Sequence, residues 1–186
     1  ALLAEGDPLF YSSYMHMHTR LTDRFDAVII PGVTSVSAAS GALSRPLVQG
    51  DEVLTILPGT LPPDELQRRL ADTDAAVILK LGRSYPAVRE ALSQSGKLDD
   101  AFYIERASTS QQRVLPAGEV AADADVPYFS LAMLPGRMAA AIAKPAQPDA
   151  AGRRHDTGCV PPGVVITIDE LERLRDDLHR SQGPRR

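Results

Sequence analysis

A chain of 186 residues, 44% hydrophobic and 24% charged, has the length of one ordinary domain or one and a half small ones, with enough apolar content for a core. A net charge of -4, a pI of about 5.5, no Trp and 5% aromatic residues exclude the basic surface and stacking platforms of a nucleic-acid or anionic-membrane binder. No apolar run approaches the ~20 residues of a membrane span, and the single Cys159 excludes an internal disulfide, which fits a cytoplasmic protein.

Ala1-Leu2-Leu3-Ala4-Glu5 reads as the middle of a buried strand, so a neighbouring strand is expected ahead of it and the chain reads as N-terminally truncated. The turn Glu5-Gly6-Asp7-Pro8 follows. Leu9, Phe10, Tyr14, Met17 and Leu21 then recur near a 3.6 period and predict a helix over 9–21 packed on a sheet. Asp26-Ala27-Val28-Ile29-Ile30 is the next predicted strand. It stops at Pro31-Gly32, and Thr34 opens a helix to Leu43, with Thr34 and Ser35 as capping candidates. The two turns, each ending a strand, are expected to form one floor for a polar small molecule.

Residues 47–51 carry turn chemistry and read as a link between lobes. Glu52 to Leu57 is a strand stopped by Pro58-Gly59-Thr60, and Pro62-Pro63-Asp64-Glu65 opens a helix with Leu66 and Leu70 facing inward. Ala75 to Lys80 is a strand, and Pro86 to Ser95 is a helix ended by Gly96. Phe102 to Glu105, Arg113 to Leu115 and Tyr128 to Leu134 are strands without helices between them, which predicts a mixed, partly antiparallel sheet. Ala- and Pro-rich sequence from Gly136 to Pro162 reads as a linker. After it come a candidate strand, Val164 to Ile168, and a charged helix, Glu170 to Arg180, striped with Leu171, Leu174 and Leu178. The expected domains are 1–47, the remainder of an N-terminal α/β lobe; 48–137, a C-terminal α/β lobe; and 138–186, linker and tail.

Few of the polar constellations point to chemistry. His16 and His18 fall on different faces of a helix and make a poor metal pair. His155 and Cys159 supply two ligands where a structural zinc site wants four, so no metal is expected. Serines are frequent, yet neither Gly-x-Ser-x-Gly nor a Gly-Lys-Ser/Thr loop occurs. Glu105-Arg106-Ala107-Ser108 with Gln112-Arg113-Val114 reads either as a surface hairpin with its charges outward or as a second-lobe wall facing the first two turns. No side chain is singled out as a nucleophile or a general base.

Taken in order, Glu5-Gly6-Asp7-Pro8-Leu9-Phe10-Tyr11, Ile30-Pro31-Gly32-Val33-Thr34-Ser35, Leu79-Lys80-Leu81-Gly82 and Ile104-Glu105-Arg106-Ala107-Ser108 with Gln112-Arg113-Val114 resemble the tetrapyrrole methylases. Leu57-Pro58-Gly59-Thr60-Leu61-Pro62, Lys80-Leu81-Gly82-Arg83 and Pro127-Tyr128-Phe129-Ser130-Leu131 are most similar to the branch that methylates C(20) of precorrin-2. The resemblance covers roughly residues 1–137. It implies a two-lobed α/β fold of the class III S-adenosylmethionine methyltransferases, with the first lobe incomplete and the second a mixed sheet. It further implies S-adenosylmethionine as methyl donor in the cleft between the lobes, a precorrin-2 substrate in cobalamin biosynthesis, and a homodimer.

The family's donor positions map onto Glu5, Gly6, Asp7 and Phe10 in the first turn, Thr34 and Ser35 in the second, and Leu81 and Ala107 in the second lobe. Family members begin with a strand and a Gly-Pro-Gly-Asp-like turn that has no counterpart here, and the tail after Arg137 matches nothing in the family. The alternative expectation is therefore a catalytically dead remnant that acts as a binding or oligomerisation module.

Overall fold

The computed structural model describes residues 1–140. The predicted strand at 164–168, the helix at 170–180, the pair His155 and Cys159 and most of the linker lie outside the described residues.

Nine elements build the described part around one sheet. Helices α1 (Tyr14–Leu21) and α2 (Ser35–Leu43) come first. Then follow β1 (Leu54–Pro58), α3 (Pro63–Ala71), β2 (Ala75–Leu79), α4 (Tyr85–Gln94), β3 (Phe102–Glu105), β4 (Arg113–Pro116) and β5 (Ser130–Leu134), before a last turn of helix at Arg137–Ala140. The sheet order is β1-β2-β5-β3-β4. β1 and β2 are parallel, and the other three pairings are antiparallel. The mixed sheet expected of residues 48–137 is thus present. It also follows from these pairings that β1, β2 and β3 all end at one edge of the sheet, where β4 and β5 begin.

Period-two side-chain alternation divides the core into two layers. Ala76 and Ile78 of β2, Tyr103 of β3 and Ala132 and Leu134 of β5 face α3 and α4, which contribute Leu66, Leu70, Tyr85, Val88, Ala91 and Leu92. Val77 and Leu79, Ile104, and Leu131 and Met133 face the opposite way and meet Val36, Ala39 and Leu43 of α2. β2 and β5 are buried along their whole length because helices cover both faces. α3 has Pro63 at its start and Asp64 and Glu65 in its first turn, as Pro geometry and the helix dipole favour. Arg68 and Arg69 hold the Glu65 carboxyl down at about 2 by hydrogen bonding to it. α4 ends as expected near Gly96, where the Lys97 amide donates to the Leu92 carbonyl.

Two predicted strands do not form. Ala1–Glu5 and Asp26–Ile30 carry no ladder, and Leu3, Val28 and Ile30 are 98%, 89% and 79% exposed. β-branched composition favours an extended chain only where a neighbour supplies backbone partners, and among the described residues neither stretch has one. The first helix is also shorter than its apolar period suggests. It begins at Tyr14 rather than Leu9, because Asp7 Oδ1 accepts from the Leu9 amide and Tyr11 adopts φ 57°, outside the helical region. None of its residues is buried, so the expected packing of one face on a sheet is absent. Finally, β5 begins at Ser130, leaving Tyr128 and Phe129 outside the strand and exposed.

The core holds one buried carboxylate among the described residues. Glu105, 6% exposed, accepts from the Tyr103 hydroxyl at 2.5 Å and from Arg113 Nη1 at 3.2 Å. Glu105 is therefore turned inward, whereas Arg106 and Arg113 face solvent. Of the two readings of this hairpin, outward charges hold for the arginines alone. Burial, then the hydrogen bond to Glu105, pushes the Tyr103 phenol well above its ordinary 10.0.

Two outcomes follow for denaturant titration. Leu66→Ala, at a site 0% exposed, lowers the unfolding free energy by about 2–5 kcal/mol, while Val28→Ala changes it by no more than about 0.5 kcal/mol. Tyr103→Phe removes a partner of the buried Glu105 and costs about 1–3 kcal/mol at neutral pH. The folded phenol resists ionisation, so its contribution is complete below pH 10.0 and declines as pH rises further. The wild type should lose stability more steeply than Tyr103→Phe above that point.

Candidate functional site

The sheet edge at the ends of β1, β2 and β3 gathers the turns that the sequence marks. Pro58-Gly59 leaves β1 and packs against the end of β2, where the Gly59 amide donates to the Leu79 carbonyl at 2.6 Å. A Cβ at Gly59 would press on Val88 and on the Leu79 and Lys80 carbonyls at 3.0–3.2 Å, so the close approach requires glycine. Lys80-Leu81-Gly82 leaves β2, and Arg106-Ala107-Ser108 leaves β3. The last of these turns is closed by Thr109 Oγ1 donating to the Arg106 carbonyl at 2.8 Å and by the Ser108 amide donating to Gln112 Oε1 at 2.7 Å.

The two turns ahead of α1 and α2 meet each other. Asp7 bonds the Leu9 amide through Oδ1 at 2.9 Å and the Gly32 amide through Oδ2 at 3.1 Å. One carboxylate thus closes its own turn and ties it to the second. The backbones mesh so tightly that a Cβ on Gly32 would overlap the Gly6 carbonyl. Gly6 itself has φ 76° with the Val33 carbonyl against its open face, at 3.2 Å from where a Cβ would stand. Thr34 caps α2 as expected, its Oγ1 accepting from the Ser37 amide at 3.3 Å. The two turns do meet, although neither follows a strand.

The eight residues singled out from the sequence have different surroundings. Gly6 and Asp7 lie against Gly32 and Val33, one residue before Thr34 and Ser35 at the start of α2. Glu5 is exposed beside Gly6. Phe10 and Ala107 are half-buried and pack on the same apolar cluster as Val36 of α2, which brings the first turn, the second turn and the β3 turn to one layer. Leu81 stands apart, because its side chain is 0% exposed within the α3/α4 layer, leaving only backbone to face a ligand. His16 is exposed, and His18 Nδ1 lies 3.4 Å from the Tyr14 hydroxyl.

One link at this edge is invisible in the sequence. The Lys80 ammonium sits 4.8 Å over the centre of the Tyr11 ring and fastens the first turn to the end of β2. Nothing in the spacing of residues 11 and 80 couples them. The only available signal is a lysine directly after the fully apolar run of β2.

Comparison with known proteins gives this geometry its relatives. The chain is 76% identical over 136 residues to the cobalamin biosynthesis protein CobIJ of Mycobacterium bovis, covering 73% of this chain and 27% of that protein. It is 54% identical over 136 residues to a precorrin-2 C(20)-methyltransferase of Sinorhizobium sp, covering 73% of this chain and 55% of the relative. The chain therefore spans between about a quarter and just over half of these relatives' lengths. Among solved structures, the native uroporphyrin III C-methyl transferase of Thermus thermophilus superposes with a TM-score of 0.58 at 24% identity, covering 78% of this chain and 66% of that one. The same enzyme complexed with S-adenyl homocysteine gives 0.53 at 23% identity, covering 70% and 62%. The model of the Tetrapyrrole (Corrin/Porphyrin) Methylases matches residues 1–121, and the chain belongs to that family.

Proposed function

We propose that the chain carries the donor-binding turns of an S-adenosylmethionine-dependent methyltransferase acting on C(20) of precorrin-2 in cobalamin biosynthesis. On this reading the protein is cytoplasmic and homodimeric, and residues 1–47 and 48–137 belong to the two lobes that flank the donor. The observation that carries it is the meshing of Gly6-Asp7 with Gly32-Val33, at the start of the helix that shares an apolar layer with Phe10 and Ala107. Exposed backbone and small side chains converge there, and the Asp7 carboxylate among them has both oxygens engaged with backbone amides, which suits a nucleoside carrying a sulfonium cation.

S-adenosylmethionine, when bound, supplies a methyl group already activated for displacement by an electron-rich meso carbon. The chain's share is therefore alignment and exclusion of water rather than proton transfer. Asp7 has both carboxylate oxygens engaged with backbone amides and acts by fixing the two turns. Thr34 orders the start of α2 as its cap, and Ser35 next to it offers its hydroxyl and amide to the donor. Glu5, which is exposed, is suited to the donor's hydroxyls or amine. Gly6 leaves room for close approach, while Phe10 and Ala107 supply apolar walls. Leu81 contributes through its backbone, its side chain being committed to the core.

Two glycines separate this site from general stability. Gly32→Ala forces the turns apart and weakens S-adenosylhomocysteine binding by about tenfold or more, read by titration calorimetry on the full chain. Gly41→Ala has open space for its methyl inside α2, so it leaves that affinity unchanged while raising stability by about 0.5–1 kcal/mol. Binding in the wild type with transfer of labelled methyl to precorrin-2 supports the enzyme. Binding without transfer favours the remnant, and no binding heat from folded wild type overturns the donor site.

A further inference from the structure

Four of the five non-glycine residues with left-handed backbone among the described residues stand on the site edge or touch it: Tyr11, Lys80, Arg106 and Ser108, with φ of 57°, 59°, 49° and 66°. The fifth, Ser44, caps α2. Left-handed backbone costs a residue with a Cβ about 1 kcal/mol, and glycine or asparagine avoids most of that. Long cationic side chains at two such positions are unfavourable for the fold alone, so the side chains themselves call for an explanation.

Their placement supplies one. Ile78 and Tyr103 both pair with Ala132, and Ser130 pairs with Glu105, which pairs with Arg113. Lys80 follows the end of β2 and Arg106 the end of β3, with the start of β5 between those two strands, and Arg113 opens β4 opposite Glu105. The Glu105 carboxylate at this edge is buried and bonded to Tyr103 and Arg113, so Lys80 and Arg106 leave the edge a positive excess on a chain whose net charge is -4. Arg83, in the turn after Lys80, lines a separate hollow with Asp123, Asp125 and Tyr128.

Between the cations lies an aromatic ledge. Tyr128 and Phe129 immediately precede β5, the strand between β2 and β3, and are 85% and 57% exposed. Their rings meet edge to face at 5.1 Å, and the Phe129 carbonyl accepts from the Arg106 amide at 2.8 Å. Cation, aromatic pair and cation in sequence along an edge match a flat ring fringed with acid groups. The ring rests on the aromatics while the acids pair with the ammonium and guanidinium groups on either side.

We infer that Lys80, Arg106 and Arg113, set around Tyr128 and Phe129, form the recognition edge for the acid arms of a polycarboxylate tetrapyrrole. This rests on the methylase reading and assigns the substrate side of that same site. Arg113 has a second task in neutralising Glu105, so Lys80 and Arg106 are the residues to vary; Lys80 also holds Tyr11 of the first turn, which is why donor affinity is read beside porphyrin affinity. An edge of dispersed cations meets only the arms on the side of the ring that faces it, so a ring with two acids on every pyrrole fills more of them than a ring with one.

The test uses porphyrin fluorescence titrations of the full chain with the octa-acid uroporphyrin and the tetra-acid coproporphyrin. The octa-acid is expected to bind more tightly. The double variant Lys80→Asn with Arg106→Asn keeps residues tolerant of left-handed backbone, and should weaken uroporphyrin at least about tenfold more than it weakens S-adenosylhomocysteine. The charge-keeping pair Lys80→Arg with Arg106→Lys should stay within about threefold of wild type, which a merely structural role would not require. Equal affinity for the two porphyrins, or an asparagine variant that binds uroporphyrin as the wild type does, overturns the assignment. Wild type that binds S-adenosylhomocysteine but shows either result leaves the methylase reading standing without this edge. Charge-dependent porphyrin binding with no S-adenosylhomocysteine binding upholds the edge and removes the donor site.

Discussion

The structure depends on β2 being buried on both faces. Five consecutive residues, Ala75 to Leu79, are at most 7% exposed, and that is possible only with α3 and α4 on one side and α2 on the other. Because the strand separates two cores, its register also decides which residues come out at its end. Leu79 closes the α2 layer, and Leu81 turns back into the α3/α4 layer. Lys80 between them is left at the surface, on a left-handed backbone, with its ammonium over Tyr11. A shift of one residue would exchange the two layers and bury the lysine. The position of the candidate site is thus a by-product of core packing rather than of any bond made for the site.

The same layer explains why two turns distant from the sheet in sequence belong to this edge. α2 has small residues on most of its surface, so it lies close on Val77, Leu79 and Met133 with Val36, Ala39 and Leu43. Its first residues must therefore sit near the sheet. Thr34 fixes where the helix starts, the Gly32 amide just before it reaches the Asp7 carboxylate, and Asp7 in turn sets the course of the chain into Phe10. One helix docked on the sheet carries both turns with it. Apolar burial supplies most of the energy, and the few hydrogen bonds supply direction.

Much of this was legible from residues 52 to 134, where apolar runs, Pro-Gly stops and helix caps agree with one another. The parallel β1–β2 pair, the amphipathic α3 and α4 and the antiparallel remainder follow from those local signals. The first 33 residues read differently. Val28-Ile29-Ile30 has the composition of a strand, but a strand is a pairing, and pairing is not a property of one segment. Leu9 and Phe10 matched a helical period, yet the Asp7 side chain competes for the Leu9 amide and the helix waits until Tyr14. In the site, the glycines and Asp7 were visible as turn chemistry. The Lys80–Tyr11 contact and the inward Glu105 were not, because each joins residues whose relation exists only once the sheet has formed.

Glu105 shows how the two kinds of polar residue at this edge divide their work. It shares β3 with Tyr103 at a spacing of two, which places both side chains on one face, and the pairing across the hairpin delivers Arg113 to it. Its carboxylate is therefore satisfied from within the fold, by one hydroxyl and one guanidinium. Arg113 is committed to that pair, whereas Arg106, the next residue along the chain, turns to the neutral side-chain oxygen of Gln111. A carboxylate withdrawn into the core and bonded there leaves Arg106 facing solvent with its charge intact, in a chain that is acidic as a whole. The buried cluster and the exposed arginine are thus one arrangement: the inner half holds the hairpin together, and the outer half is left available to an anionic ligand.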